Sequence, residues 1–218
     1  MSKRFCLVVC LALLLTAAVC AHAQNLVPDQ NFSSLTVGAV YNGSAPFLGN
    51  GWLFNSSAGT ATVVAGDHDG NCIKLTRTVV AEPWWNADSV LSTYPWYNGG
   101  AIRVNAGQQY SLSFWAKTDE TSDSVVLNIA PLNSGDGYLN LDVMTTYDLT
   151  TQWQKITTTY TAPTNAACVQ LSWRANMWQT GTVYLDDVSF AAVPEPASIL
   201  AMLSGMVGFV GFAARKRK

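Results

Sequence analysis

The sequence is poor in charge and in the side chains on which most catalytic sites depend. Only 12% of its 218 residues are charged, and between residues 24 and 193 there is one histidine, His68, and two glutamates, Glu82 and Glu120. A serine triad would have to use His68, and glycoside hydrolysis usually needs two placed carboxylates. No glycine-rich phosphate loop or histidine cluster for zinc occurs. The sequence therefore disfavours an enzyme, and a polysaccharide hydrolase or lyase using aspartates is the most distant hypothesis.

Basic residues are also scarce in the central part of the chain. Of the 12 lysines and arginines, two lie in residues 1–23 and four in residues 215–218, whereas only one of the 14 acids lies beyond residue 193. Residues 24–193 therefore carry six bases and 13 acids, a net charge near −7. Nucleic-acid binding depends on Lys and Arg meeting phosphates, so that class of partner is excluded.

Two of the five cysteines lie outside the N-terminal segment. Cys72 and Cys168 each precede an alternating strand pattern, and each should point away from the apolar face. An oxidising compartment would let them pair, so we predict a disulfide between neighbouring strands, with two separate thiols as the alternative. Two cysteines and one distant histidine make a metal site improbable.

The N-terminal segment has the pattern of an export signal. Lys3 and Arg4 precede the apolar residues 5–19, and Ala21-His22-Ala23 has the small-x-small form of a signal peptidase site. We predict a signal peptide over residues 1–23 that signal peptidase removes. Lipidation at Cys20 is the disfavoured alternative, because the preceding Val19 is bulky.

The C-terminal segment has three parts. The motif Pro194-Glu195-Pro196 lies in a linker over residues 191–196, an uncharged apolar stretch of about 18 residues follows, and the chain closes on four basic residues. We predict a transmembrane helix over residues 197–214 and a basic cytoplasmic tail over residues 215–218. A plain membrane anchor is the simplest interpretation.

This tripartite order resembles the PEP-CTERM sorting signal of Gram-negative bacteria. The resemblance implies that an exosortase cuts near Pro194, Glu195 and Pro196. The protein would then be exported, held in the membrane before processing, and afterwards placed on the cell surface or released, often in bacteria that make exopolysaccharide.

The sequence pattern predicts β-structure throughout residues 24–190. Apolar and polar residues alternate in five separate stretches, and turn-prone Asn, Asp and Gly residues separate them. The inward-facing sets are Ile73 and Leu75; Leu112, Phe114 and Ala116; Val125, Leu127 and Ile129; Val169, Leu171 and Trp173; and Val183, Leu185 and Val188. Ten or eleven short strands at this spacing predict an all-β sandwich, with Trp52, Trp153, Trp173 and Tyr110 in its core.

Four stretches in order along this domain resemble carbohydrate-binding modules of families four, nine and twenty-two. They are NLVPDQNF at 25–32 with Gly51-Trp52, VNAGQQYSLSFWAK at 104–117, WQKITTTYTAP at 153–163 and VYLDDVSF at 183–190. The resemblance implies a jelly-roll sandwich of two antiparallel sheets and a polysaccharide as partner.

The same resemblance implies one structural calcium ion between the first and last strands. Asp186 or Asp187 matches the expected carboxylate, and oxygen ligands of this kind suit calcium. Ser33 occupies the position where an acidic residue is usual, and Asp29 is a substitute for it.

The strongest candidate for a sugar-binding wall is an aromatic loop. Trp84, Trp85, Trp96 and Tyr97 lie among Pro, Asn and acidic residues without strand alternation. Flat rings stack on the C–H faces of pyranose sugars. The alternative is that these rings fold back and cap the core.

A second candidate surface comes from two strand patterns. Trp115 and Lys117 point away from one apolar face, and Gln170, Ser172 and Arg174 point away from another. If the two strands share a sheet, its outer side offers a binding surface; an ordinary solvated face is the alternative. Tyr138 and Trp178 are weaker candidates.

We therefore predict an exported protein whose sandwich binds polysaccharide without catalysis. A structural protein of the extracellular matrix, without a glycan site, is the alternative.

Overall fold

The computed structural model describes residues 24–43, 47–55, 59–66, 70–78, 90–93, 102–121, 123–175 and 180–194. The chain divides into two units, of which one is Asn25–Ala191 and the other combines Met1–Gln24 with Ala192–Lys218. The predicted signal peptide, the membrane helix and basic tail, Glu195 and Pro196 lie outside the described residues.

Thirteen β-strands make up the described part of the domain. They are β1 Val40–Asn42, β2 Phe47–Gly49, β3 Trp52–Asn55, β4 Gly59–Ala65, β5 Asn71–Arg77, β6 Val90–Thr93, β7 Ile102–Arg103, β8 Gln109–Thr118, β9 Ser124–Leu132, β10 Val143–Asp148, β11 Gln154–Thr161, β12 Cys168–Ala175 and β13 Gly181–Ala192. In these ranges no helix has the length and apolar character needed to cross a membrane.

The strands form two antiparallel sheets. A six-stranded sheet has the order β1-β4-β5-β13-β8-β11, and a seven-stranded sheet has the order β10-β9-β12-β6-β3-β2, with β7 paired to β12. The predicted class, an all-β jelly-roll sandwich of two antiparallel sheets, is confirmed. The sequence pattern missed the shortest strands, such as β7, because two residues are too few to show alternation.

Aromatic rings from both sheets meet in the core. Trp173 of β12 lies 5.8 Å from Trp52 of β3 and 5.8 Å from Phe114 of β8, measured between ring centroids. All three side chains are fully buried, and each such burial stabilises a fold by roughly 1.5–3 kcal/mol. Trp52, Trp173 and Tyr110 are therefore core residues, as predicted.

The prediction of a core position for Trp153 is wrong. Its side chain is only half-buried, because the residue lies just before β11, where the chain has not yet entered the alternating pattern. Its ring contacts Tyr184, an outward residue of β13.

The first described residues run along the end of the last strand. The Leu26 amide donates to the Phe190 carbonyl over 2.8 Å, and the Val188 amide donates to the Gln30 carbonyl over 2.9 Å. Asp187 has a φ of 47°. Asp187 is the extra residue of a β-bulge in β13. It shifts the alternation of side chains by one position, so that Leu185 and Val188 both point inward.

The predicted disulfide is also wrong. Cys72 and Cys168 are both buried and are not bonded to each other. Cys72 lies on β5 of the six-stranded sheet and Cys168 on β12 of the seven-stranded sheet. Packed sheets are about 10 Å apart, which exceeds the roughly 7 Å that a disulfide can span between Cα atoms. Burial raises the pKa of the Cys168 thiol; Arg103 opposes this rise and Asp136 adds to it.

Candidate functional site

A row of side chains crosses five strands on the outward face of the seven-stranded sheet, and its three central members are polar. Ser172 of β12 lies opposite Asn128 of β9 on one side and Ser92 of β6 on the other. Met144 of β10 and Leu53 of β3 extend the row at either end. Residues opposite one another in an antiparallel pair share a face, so these five side chains line one surface.

The centre of this row is sheltered from solvent although it points away from the core. Asn128 is 7% exposed, Ser172 6% and Ser92 4%. Buried polar groups of this kind are costly unless they are hydrogen-bonded. Polar groups in such a row are therefore expected to be hydrogen-bonded, either within the protein or to a ligand that carries hydroxyls.

Asn128 has unused hydrogen-bonding capacity in this row. Its Nδ2 donates to Oδ2 of Asp142 over 3.2 Å, whereas its buried Oδ1 has no hydrogen-bond partner among the described residues. A donor from a ligand would complete it. Asn128 lies between Leu127 and Ile129, two residues that the alternation assigns to the inward face, but a single asparagine in a strand gives no signal of binding.

Gln170 and Arg174 lie on the same face as this polar row. Gln170 is opposite Ala130, and Arg174 is opposite Val126, in the same pairing of β12 with β9. The Tyr138 hydroxyl donates to Oε1 of Gln170, and Tyr138 is 47% exposed. Tyr138 is thus an aromatic residue beside the predicted binding residue Gln170, a position that its loop sequence did not reveal.

The Asp142 carboxylate also affects Tyr160, a buried residue of β11 at the edge of the six-stranded sheet. Burial, with a smaller contribution from Asp142, raises the pKa of Tyr160 to about 12. The Tyr160 hydroxyl therefore stays protonated at neutral pH.

Trp115 lies on a different surface. It belongs to β8 of the six-stranded sheet, whereas Gln170 and Arg174 belong to β12 of the seven-stranded sheet. The hypothesis that these strands share a sheet is wrong, because alternation tells which residues point outward and not which strand lies next to which. Trp115 therefore points out from one side of the sandwich, and Gln170 and Arg174 point out from the other.

The four aromatic candidates flank β6 in the sequence. Trp84 and Trp85 precede β6 in sequence, and Trp96 and Tyr97 follow it; β6 carries Ser92 and lies beside β12. The four aromatic residues themselves lie outside the described residues.

The three predicted metal ligands do not form a cluster. Asp29 accepts hydrogen bonds from the Ser33 hydroxyl over 3.4 Å and from the Ser34 amide over 3.3 Å. Asp186 is fully buried, and its Oδ1 accepts from the Asp187 amide over 2.7 Å. Within the described ranges, no three His, Cys, Asp or Glu side chains meet in a way that would hold a metal ion.

Asp186 nevertheless lies against a tight turn. A Cβ added at Gly66 would stand 3.4 Å from Asp186 Oδ2 and 2.6 Å from the Gly70 carbonyl oxygen. A carboxylate and a backbone carbonyl are both hard oxygen donors of the kind that calcium takes. The donor chemistry at Asp186 therefore fits calcium, whereas the Asp29 carboxylate is engaged within its own turn.

Comparison with protein families identifies the class. Residues 37–175 match a family described as a carbohydrate-binding domain, and residues 192–218 match the PEP-CTERM protein-sorting motif. Since the first match covers more than half of the chain, the protein belongs to this family of carbohydrate-binding domains, in agreement with the sequence resemblance. A comparison with curated proteins gives no match.

Solved structures support the fold. The CBM22-1 xylan-binding domain from Paenibacillus barcinonensis is 13% identical with a TM-score of 0.53, over 79% of this chain and 97% of that one. TmCBM61 in complex with β-1,4-galactotriose is 12% identical with a TM-score of 0.51, over 78% and 100%. The enzymatically active domain of bacteriophage CBA120 tailspike protein 4 is 13% identical with a TM-score of 0.57, over 78% of this chain but only 21% of that one.

Proposed function

We propose that the outward face of the seven-stranded sheet holds a polysaccharide without cleaving it. The observation that carries this proposal is the sheltered polar row of Asn128, Ser172 and Ser92, with its unsatisfied amide oxygen. Sugar hydroxyls can donate to Asn128 Oδ1 and accept from Arg174, and the Tyr138 ring offers an apolar surface for pyranose C–H groups. The family to which the chain belongs supports the same ligand class.

Among the described residues of this face, the spacing of two carboxylates supports a non-catalytic role. Asp142 precedes β10 and Asp148 ends it, so they are six residues apart along a nearly extended chain, which is about 20 Å. The two carboxyl groups of a glycosidase are roughly 5–9.5 Å apart. Asp142 also accepts a hydrogen bond from Asn128, so its role here is to position that amide.

Substitutions on this face should weaken glycan binding. We expect Gln170→Ala and Tyr138→Ala each to lower affinity about tenfold, because each removes a polar or stacking contact worth roughly 1–1.5 kcal/mol. The matched control is Thr36→Ala, an exposed residue in the segment before β1 that belongs to neither outward face. The measurement is isothermal titration of the full chain, in a detergent without a sugar headgroup, with xylohexaose, cellohexaose and β-1,4-galactan oligosaccharides.

Two outcomes would contradict this proposal. One is a folded protein that binds none of these oligosaccharides, which would favour a structural role in the extracellular matrix. The other is binding that Gln170→Ala and Tyr138→Ala leave unchanged.

We also propose that signal peptidase and an exosortase process the chain on its way to the cell surface. The match of residues 192–218 to a sorting motif supports this route. The motif residues Pro194, Glu195 and Pro196 precede the apolar stretch that would hold the protein in the membrane until cleavage.

Peptide mass spectrometry of the protein recovered from the surface of an exosortase-bearing cell tests this route. We expect the mature chain to begin at Gln24 and to lack peptides from residues 197–218. A triple alanine variant of Pro194, Glu195 and Pro196 should keep the C-terminal peptides and stay in the membrane fraction. Wild-type surface protein with an intact C terminus would contradict the route.

We further propose Asp186 as the carboxylate ligand of one structural calcium ion. A ligand that binds only the folded state stabilises it, so chelation with EGTA should lower the melting temperature of the wild type. Asp186→Asn should abolish this difference, and the adjacent control Asp187→Asn should keep it. Equal melting temperatures of the wild type with calcium and with EGTA would refute the site.

A further inference from the structure

The three lysines of residues 24–193 all lie on the outward face of the six-stranded sheet. Lys74 is on β5, Lys117 on β8 and Lys155 on β11. Lys155 lies opposite Trp115, and Lys74 lies opposite Tyr184. The alternate residues of β8, from Tyr110 to Thr118, are buried, so the lysines are on the solvent side of the sheet.

Aromatic rings lie among these lysines. The Lys117 ammonium nitrogen is 5.1 Å from the Trp153 ring centroid and 5.1 Å from that of Tyr184. The Lys74 nitrogen is 5.4 Å from the Tyr184 centroid on the neighbouring strand. Such cation–π contacts fix the position of each ammonium group, and an ammonium has three N–H donors with which to engage more than one neighbour.

Few carboxylates lie among these lysines. On the described strands of this sheet they are Asp186, which is fully buried, and its neighbour Asp187, which is partly exposed, both on β13. Asp119 and Glu120 follow β8 at its end, and Asp119 lies 3.9 Å from the Lys74 nitrogen. Asp119 also accepts a hydrogen bond from the Tyr184 hydroxyl over 3.3 Å, so it balances the charge of Lys74, and the positive charge of this face rests on Lys117 and Lys155.

Hydroxyl groups lie at other outward positions of this sheet. On β8 and β11, they belong to Ser111, Ser113, Thr157 and Thr159. The surface therefore combines cations, half-exposed rings and hydroxyls, whereas the seven-stranded sheet offers a sheltered and mostly uncharged row.

We propose that the outward face of the six-stranded sheet is a second carbohydrate-binding surface, specific for anionic polysaccharides that carry uronic acid carboxylates. Carboxylates pair with Lys117 and Lys155, pyranose C–H faces stack on Trp115, and the serine and threonine hydroxyls bond the remaining oxygens. Nucleic acid is a poor fit, because three lysines in a domain of net charge near −7 cannot neutralise a densely charged backbone. This surface is separate from the site proposed above and does not depend on it.

Titration of the full chain with polygalacturonate and with its fully methyl-esterified form tests the proposal. The two polymers share a backbone and differ in charge. We expect the charged polymer to bind and the ester to bind at least about tenfold more weakly, with affinity for the charged polymer falling as sodium chloride is raised. Lys155→Gln should weaken polygalacturonate binding about two- to fivefold, and the double variant Lys117→Gln/Lys155→Gln about tenfold or more.

Two control variants separate this surface from the rest of the molecule. Arg103→Gln removes a similarly exposed cation from β7 of the other sheet and should leave polygalacturonate binding unchanged. Gln170→Ala should also leave it unchanged, even if it abolishes binding of neutral oligosaccharides. Absence of polygalacturonate binding, equal binding of the ester, or loss of binding in Gln170→Ala but not in the lysine variants would each overturn the proposal.

Discussion

The face-to-face packing of two antiparallel sheets is the constraint on which the rest of this structure depends. Trp52, Trp173 and Phe114 join the sheets by ring contacts at the centre of the core. Because strand side chains alternate, each residue committed to this core fixes its neighbours to an outer face. The outward row of Asn128 and Ser172 is therefore a direct consequence of the inward row of Leu127, Ile129, Leu171 and Trp173.

The two outer faces of the sandwich differ in chemistry. The seven-stranded sheet offers sheltered amides and hydroxyls beside an exposed Tyr138, which suits a ligand recognised through hydroxyl groups. The six-stranded sheet offers Lys74, Lys117 and Lys155 among half-exposed rings. The two proposals together describe a protein that binds a neutral polysaccharide on one face and an acidic one on the other, in a chain that combines a carbohydrate-binding domain with a sorting motif.

Alternation in the sequence was sufficient to predict the sandwich and most of its core, since the period of two is a local property of each strand. It was insufficient wherever strand order mattered. Two pairs of predicted neighbours lie on strands of opposite sheets: Cys72 and Cys168, and Trp115 and Gln170. The residues of a single strand do not reveal which distant strand pairs with it. Trp153 and Tyr138 lie outside the alternating stretches, so their surroundings depend on where a loop runs. Asn128 is recognisable as a site residue only through its unsatisfied oxygen.

Amide NMR of the isotopically labelled full chain, titrated with an oligosaccharide that binds, tests the central claim most directly. If the sandwich presents its neutral glycan site on the seven-stranded sheet, the largest shift changes should fall on residues 126–130 of β9 and 170–174 of β12. Residues 111–117 of β8 and 155–161 of β11 should change little. Shift changes concentrated on β8 and β11, or spread evenly over both sheets, would contradict the account.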